Sequence, residues 1–255
     1  MPINVITVPC LSDNYAFIIG NSETGKAAVV DVPEAGPINS ELARRGWVAT
    51  EVFLTHHHDD HVMGLGDLET TDKPQIIGAA ADQHRLPPLT HAVAEGDVVS
   101  LCGQDAQIFD VSGHTMGHIA AYLPQINHVF TADSLMALGC GRLFEGTPEQ
   151  MWDSLLKLRA LPDHTVVCSG HEYTASNAKF AASIDPDNTH LTSRITAITA
   201  SRAIGLPTVP SELGLEKRTN PFLRADDTAL KAKLGMQSAS DVDVFAEIRS
   251  RKDKF

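Results

Sequence analysis

A short run of residues, Thr55–His61, constrains this sequence more than any other, because it holds four histidines and two aspartates. The segment before it, Glu51–Leu54, predicts a buried strand, and Val62–Gly66 predicts the start of a helix. Within the run, the pattern His-x-His-x-Asp-His is formed by His56, His58, Asp60 and His61. Since alternate side chains of an extended segment point the same way, the first two histidines are expected to face one metal ion, and the last two residues a second point nearby. Imidazole and carboxylate without thiolate predict zinc, iron or manganese.

Composition limits the class of protein. The chain has 255 residues, of which 43% are hydrophobic, so it can form one large domain or a medium domain and a small one. A net charge of -12 argues against broad binding to nucleic acid or anionic membranes. There is no apolar run of about eighteen residues, and Met1–Val5 lacks the pattern of a signal peptide. Four widely spaced cysteines without a CxxC pair favour reduced thiols in a cytoplasmic protein, with two disulfides in an exported protein as the alternative.

The order of the predicted elements indicates two domains. Helices are predicted from Pro37 to Arg45 and from Thr147 onward, among strands at 3–8, 16–19, 27–31, 52–54, 75–77, 98–101, 107–111, 119–123, 129–131 and 165–168. After His171 the pattern becomes helical, over 171–183, 190–204, 227–234 and 240–252, with a loop over Gly205–Arg224. We therefore expect a mixed α/β domain over residues 1–168 and a small all-helical domain over residues 169–255.

Three further strand ends carry candidate ligands. His114 and His171 each follow a glycine at a predicted strand end, and Asp133 follows the strand that ends at Thr131. Each signal is weak alone, because Asp133 by itself suggests an ordinary helix cap and His118 competes with His114. Two metal ions that keep an open position for water need about seven protein ligands. The chain offers seven, namely His56, His58, Asp60, His61, His114, Asp133 and His171.

Together, four motifs in this chain resemble the metallo-β-lactamase superfamily. They are Thr55–His61, Gly113–His118, Thr131–Asp133 and Gly170–Tyr173. Three other segments resemble the glyoxalase II (hydroxyacylglutathione hydrolase) family, namely Gly139–Thr147, Asn220–Arg224 and Arg249–Asp253. The resemblance covers essentially the whole chain. It implies a metallo-β-lactamase-like αββα sandwich as the catalytic domain, followed by a helical substrate-binding domain.

The resemblance implies roles for the metal ligands. His56, His58 and His114 would bind one ion, and Asp133 would bridge it to a second. The remaining ligands of that second ion would be Asp60, His61 and His171. Two divalent ions per chain are therefore expected, zinc first, with iron or manganese as alternatives. Asp60 would also be catalytic, by orienting a water or moving its proton.

The resemblance also implies glutathione-binding residues. They are Arg142, Phe144, Tyr173, Arg249 and Lys252. The family commonly has tyrosine where this chain has Phe144, so one hydroxyl contact is expected to be missing. Arg142 stands where the family usually has lysine, which keeps the charge and adds a fork suited to carboxylate.

The implied activity is hydrolysis of the thioester S-D-lactoylglutathione by a metal-bound hydroxide, the second step of methylglyoxal detoxification. The expected partner is a glutathione thioester, without nucleic acid or membrane, and the chain is expected to be monomeric. One alternative is a glutathione-linked persulfide dioxygenase with a single iron, against which the complete second ligand set argues. A β-lactamase would normally be exported, and a nuclease would need a basic face. A non-enzymatic metal- or glutathione-binding protein is the alternative from a different class.

Overall fold

The computed structural model describes residues 2–255, which form two compact units. The first unit comprises residues 2–111 together with Met116–Ala132. The second comprises Ser112–Thr115 and Asp133–Phe255.

The first unit contains ten strands and two helices among the described residues. They are β1 (Ile3–Cys10), β2 (Asn14–Asn21), β3 (Lys26–Val30), α1 (Ala35–Arg45), β4 (Val48–Phe53), α2 (Asp59–Val62), β5 (Thr70–Ala79), β6 (His91–Val93), β7 (Val98–Leu101), β8 (Gln104–Asp110), β9 (Ile119–Leu123) and β10 (His128–Ala132). Short 3-10 turns occupy Leu65–Asp67 and Ala80–Asp82.

The first six strands form one sheet in chain order. The first three strands form an antiparallel meander, because β1 pairs antiparallel with β2 and β2 with β3. From β3 to β6 the pairing is parallel. Strands β7 to β10 form an antiparallel ladder, which includes the hairpin of β7 and β8. Alternation of buried and exposed residues along β7 explains why the sequence pattern found it.

The parallel pairing of β3 and β4 positions the histidine turn. Val30 lies opposite Phe53 in this pair, so the residues that follow both strands leave the sheet at the same edge. The amide of Asp31 donates to the Phe53 carbonyl, which fixes the two exits next to each other. Asp31 and Thr55 are therefore neighbours, although they are far apart in the chain.

The second unit consists mainly of helices. Its elements are β11 (Leu135–Met136), β12 (Gly139–Cys140), α3 (Pro148–Arg159), β13 (Val166–Ser169), α4 (Thr174–Ile184), α5 (Thr189–Ala203), β14 (Ser211–Glu212), α6 (Leu213–Thr219), α7 (Thr228–Leu234) and α8 (Asp241–Asp253), with a 3-10 turn at Pro221–Leu223. The start of α3 was predicted correctly, since Thr147 and Gln150 form a capping box and Pro148 is the first helical residue. The core includes ring contacts of Phe222 with Phe180 and Phe245.

Several predicted elements differ from the structure, including the strand predicted over 75–77, which spans Thr70–Ala79. The helix after the histidine turn does not begin at Val62, because α2 begins within the cluster at Asp59 and ends at Val62. Glycines at 64 and 66 disfavour its continuation. The segment Gly205–Arg224 is not a loop, since it contains β14, α6 and a 3-10 turn, and elements this short carry too few residues for a periodic pattern. The helix predicted from His171 starts at Thr174.

The described helices are all modest in length. The longest, α5, has 15 residues, and within residues 2–255 no helix is both long and apolar enough to cross a membrane.

Candidate metal centre

Asp31 organises two histidines of the turn in the first unit. Its carboxylate accepts hydrogen bonds from the Thr55 amide at 2.9 Å, the Thr55 hydroxyl at 2.8 Å and His61 Nδ1 at 2.8 Å. Because the Thr55 hydroxyl gives its proton to Asp31, His56 Nδ1, which lies 3.0 Å from that oxygen, must be the donor in their pair. Both imidazoles therefore carry their proton on Nδ1. This leaves the Nε2 lone pair of His56 and of His61 for a metal ion.

Asp60 is held by a residue at the start of β2. The Asn14 side-chain amide donates to the Asp60 carbonyl and to its Oδ2, each at 3.0 Å. Oδ2 lies 3.8 Å from His61 Nε2. The Asp60 carboxylate thus faces the nitrogen that the Asp31 contact leaves unprotonated.

The two residues at the x positions of the motif behave differently from the candidate ligands. His57 Nδ1 lies 2.8 Å from Asp82 Oδ2, and Asp82 is fully buried. Asp59 is exposed in the first turn of α2, where a carboxylate interacts favourably with the helix dipole. Neither residue belongs to a group of candidate metal ligands within residues 2–255.

In the second unit, Asp133 lies beside two histidines. Its Oδ2 is 3.4 Å from His114 Nε2 and 3.3 Å from His171 Nε2. His114 Nδ1 lies 2.7 Å from the carbonyl oxygen of Arg142, and because a carbonyl only accepts, Nδ1 carries the proton. A Cβ at Gly141 would lie 2.0 Å from the main-chain carbonyl oxygen of Asp133 and 2.8 Å from His114 Nδ1, so only glycine fits there.

Each of the seven predicted ligands belongs to at least one of three groups of candidate metal ligands. Within each group, the ligand atoms lie within 4.8 Å of one another. The groups are His56, His58 and His114; Asp60, His61 and His171; and His56, His61 and Asp133. Five of the seven residues are buried, while His58 and Asp60 are half-buried. Donors that bind one ion at about 2.0–2.2 Å must approach one another this closely. Imidazole lone pairs facing carboxylates form a donor set that fits a divalent cation.

His118, the competing candidate ligand, belongs to none of these groups among the described residues. Its ring is fully buried and stacks on His56, with centroids 4.6 Å apart and planes at 14°. The contact supports the orientation of the His56 ring.

Two of the predicted glutathione-binding residues are exposed rings beside the histidines of the second unit. Phe144 is 61% exposed, and its ring centroid lies 5.3 Å from that of His114. Tyr173 is 40% exposed and stacks on His171 at 4.6 Å. Both rings are accessible to a molecule that approaches these histidines.

Two of the other three predicted glutathione-binding residues, Arg249 and Arg142, lie beside Asp253. The Arg249 guanidinium is buried and donates to the Cys140 carbonyl at 3.0 Å and to Asp253 Oδ1 at 2.9 Å. Arg142 Nε lies 3.4 Å from the same oxygen. The Arg249 Nε–H is buried without a hydrogen-bond partner in the described structure.

Lys252 lies among aromatic rings. Its ammonium is 5.3 Å from the Phe180 centroid and 5.5 Å from that of Phe255. Burial lowers the pKa of Lys252, and the Arg249 charge acts in the same direction.

The cysteines near the candidate ligands, Cys140 and Cys168, are buried thiols. Burial raises the pKa of Cys140 to about 11, and it raises the pKa of Cys168 further still. A thiol of such high pKa is a poor nucleophile near neutral pH.

Sequence reasoning missed the residues that orient the ligands. Asp31 did carry a signal, because it ends a buried strand just as Asp133 does, but it was assigned to the strand. Asn14 resembled an ordinary turn residue, and Asp82 had no signal, since its partner His57 is far away in sequence.

Comparison with known proteins identifies the family. The sequence model described as the metallo-beta-lactamase superfamily matches residues 13–171, and that described as the hydroxyacylglutathione hydrolase C-terminus matches residues 172–255. The chain is 64% identical to the hydroxyacylglutathione hydrolase of Ruegeria pomeroyi, over 100% of both chains. This chain belongs to the hydroxyacylglutathione hydrolase family. It is also 59% identical to the hydroxyacylglutathione hydrolase of Roseobacter denitrificans, again over 100% of both chains.

Solved structures with the same fold confirm the predicted fold class. The B3 metallo-beta-lactamase BLEG-1 matches with a TM-score of 0.67 and 18% identity, over 86% of this chain and 99% of that one. ETHE1 from Myxococcus xanthus matches with a TM-score of 0.65 and 24% identity, over 98% of this chain and 90% of that one. The metallo-β-lactamase fold therefore accounts for most of the chain, and the hydroxyacylglutathione hydrolase C-terminus accounts for the helices that follow.

Proposed function

We propose that this protein hydrolyses S-D-lactoylglutathione and related S-2-hydroxyacylglutathiones to a 2-hydroxy acid and glutathione, the second step of methylglyoxal detoxification. The observation that carries the proposal is the grouping of seven imidazole and carboxylate ligands in a chain whose full-length relatives are named hydroxyacylglutathione hydrolase. In that grouping, His56, His58 and His114 form one set, and Asp60, His61 and His171 form another.

These two sets are proposed to hold two divalent ions, zinc first, with iron or manganese as alternatives, and Asp133 is proposed to bridge them. Support comes from Asp133, whose Oδ2 lies within 3.4 Å of His114 Nε2 and 3.3 Å of His171 Nε2. When bound, such ions lower the pKa of water and polarise a thioester carbonyl.

The chain's own residues are proposed to orient the attacking water and to accept its proton. Asp60, held by Asn14, is placed to orient the attacking water and to take its proton. Hydroxide adds to the acyl carbon, the C–S bond breaks, and glutathione leaves as its thiolate. A thiol has a pKa of roughly 8–9, so this leaving group departs without a strong general acid. Because the attacking group is hydroxide, no serine or cysteine nucleophile is required.

Glutathione is proposed to bind against Arg142, Phe144, Tyr173, Arg249 and Lys252. The cations are suited to the carboxylates of the tripeptide, which must bind despite a net charge of -12. The exposed rings of Phe144 and Tyr173, beside His114 and His171, offer an apolar contact close to the reacting thioester. Residues 1–168 are proposed as the catalytic domain and residues 169–255 as the substrate-binding domain, in line with the extents of the two matching sequence models.

A cytoplasmic monomer is the proposed state of the protein. Support for a reducing compartment comes from four buried cysteine thiols. Size-exclusion chromatography with light scattering at several concentrations measures the oligomeric state, and a stable dimer would contradict the monomer.

The function is tested by S-D-lactoylglutathione hydrolysis with purified protein, measuring D-lactate and free thiol together. We expect the two products in equal amounts, activity lost on treatment with a chelator, and strong loss in His114→Ala. His164→Ala is the matched control, because His164 is exposed and belongs to no ligand group among residues 2–255. Absence of hydrolysis by metal-loaded protein would overturn the proposed substrate. A single bound iron with oxygen consumption would favour the dioxygenase instead.

A further inference from the structure

A buried two-residue turn, Ala137–Leu138, joins β11 and β12 in the second unit. Leu138 adopts a left-handed backbone with φ of 57°. A Cβ at Gly139 would lie 2.5 Å from Asn177 Nδ2, so the turn is packed tightly against that side chain. The peptide groups of a buried turn cannot reach water and need partners inside the protein.

Asn220 supplies two of these partners. Its Nδ2 donates to the Met136 carbonyl at 3.1 Å and to the Gly139 carbonyl at 3.0 Å, and so bridges both sides of the turn. Its Oδ1 accepts from the Phe222 amide at 3.0 Å, which fixes the orientation of the side-chain amide. Asn220 is fully buried.

Glu216 and Asn177 supply the others. The Leu138 amide donates to Glu216 Oε2 at 2.9 Å, and Asn177 Nδ2 donates to the Ala137 carbonyl at 3.0 Å. The buried charge of Glu216 is balanced by an ion pair with Arg194. Backbone groups of four consecutive residues are thus bonded to Asn177, Glu216 and Asn220, which we term the hairpin clamp.

The hairpin continues into the candidate metal centre. The Gly141 amide donates to the Ser134 carbonyl at 3.3 Å, and the Asp133 carbonyl packs directly against Gly141. Asp133 and the segment from Gly141 to Arg142 are therefore opposite each other beyond β11 and β12. A shift of one strand of the hairpin would move the other.

Two further groups of the candidate site depend on the same strand. The Arg142 carbonyl accepts from His114 Nδ1 and so selects the tautomer of that histidine. The Cys140 carbonyl accepts from the buried guanidinium of Arg249. The hairpin therefore sets positions on which a proposed metal ligand and a proposed glutathione-binding residue both rely.

We propose that Asn177, Glu216 and Asn220 are positioning residues for catalysis. They fix the hairpin, and the hairpin fixes the Asp133 carboxylate and the Arg142 carbonyl that orients His114. The inference rests on the proposed function, because it takes Asp133 and His114 as metal ligands. It gives Asn220, the first residue of the Asn220–Arg224 segment, a physical role in the site.

The test compares Asn220→Ala with Asn188→Ala. Asn188 is a matched control, because its Nδ2 also donates to two oxygens, of Asp185 and Arg218, and its Oδ1 also accepts from a backbone amide. These bonds do not involve the hairpin. Both variants are titrated with Zn²⁺ in competition with a chelator, and KM and kcat for S-D-lactoylglutathione are measured on the same samples.

We expect Asn220→Ala to weaken zinc binding by about tenfold and to lower kcat/KM, whereas Asn188→Ala keeps both near wild type. Asn177→Ala removes one hydrogen bond to the turn and should show a smaller loss of zinc affinity. This variant tests the proposal even if Asn220→Ala does not fold. If the wild-type protein is active and all three variants bind zinc with equal affinity, the positioning role of the hairpin clamp is overturned, whereas the proposed function stands. Wild-type protein without zinc binding or hydrolysis would overturn it together with the proposed function.

Discussion

Asn14 donates two hydrogen bonds from a single amide nitrogen to Asp60, one to the main-chain oxygen and one to Oδ2, each at 3.0 Å. Asn14 is 4% exposed, so these bonds are shielded from water, while the Asp60 side chain remains 43% accessible. The amide thereby holds a carboxylate that is proposed to bind a metal ion and to take a proton from water.

Asn14→Ala should lower metal affinity by about 10–100-fold, because the Asp60 carboxylate loses its fixed orientation. The free energy of unfolding of the metal-free protein should fall by only about 1–2 kcal/mol. Asn39→Ala is the control, since Asn39 also donates to a carbonyl, that of Asp67, and accepts from the Glu69 amide. Chelator competition measures the affinities, and equal values for the two variants would exclude a positioning role for Asn14.

Asp31→Asn should impair metal binding although it preserves shape. The aspartate accepts hydrogen bonds from Thr55 and His61 through both of its oxygens, and in asparagine the amide nitrogen cannot accept the bonds of the oxygen that it replaces. We expect about 1–3 kcal/mol of destabilisation in urea unfolding, and weaker zinc binding because the His61 tautomer is no longer fixed. Wild-type zinc affinity in this variant would show that the His61 ring is oriented by other contacts.

Phe144→Tyr should lower the KM for S-D-lactoylglutathione by about threefold to tenfold, the value of one new hydrogen bond. Phe144 is 61% exposed, so the added hydroxyl meets no steric obstacle, and the ring contact with His114 is retained. The kcat should change little, because the ring takes no part in proton transfer. If steady-state kinetics give an unchanged KM, the residue does not contact glutathione.

Arg249→Ala should weaken substrate binding more than it slows turnover, and it should also cost stability. The guanidinium is buried against Phe222 and bonded to Cys140 and Asp253, so its removal leaves a buried carbonyl unpaired, at about 1–3 kcal/mol. Arg251→Ala is the control, because Arg251 is exposed and its side chain pairs with Glu247 on the same helix. An unaltered KM in Arg249→Ala, beside a loss of stability, would make Arg249 purely structural.

The candidate ligands could be predicted from sequence because each follows a strand. His114, Asp133 and His171 come directly after apolar runs that predict strands, and strand ends are where α/β proteins gather functional side chains. The fold class was implied by the resemblance of several motifs, in a fixed order along the chain, to the metallo-β-lactamase superfamily.

The residues that orient the ligands could not be predicted. Asn14 begins β2 and Asp60 lies in α2, so their contact depends on the tertiary fold, as does the pairing of His57 with Asp82. The segment Gly205–Arg224 was missed because α6 has only seven residues, too few for a helical pattern beside proline and glycine. Burial of Arg249 was equally invisible, since a cation near a helix end usually indicates an exposed side chain.

The most direct test is a zinc titration of metal-free protein, with bound metal and S-D-lactoylglutathione hydrolysis measured on the same samples. We predict that activity rises until about two ions are bound per chain and that Asp133→Ala loses at least about 100-fold. Full activity without metal, full activity at one ion per chain, or an active Asp133→Ala variant would contradict the proposed dinuclear thioester hydrolase.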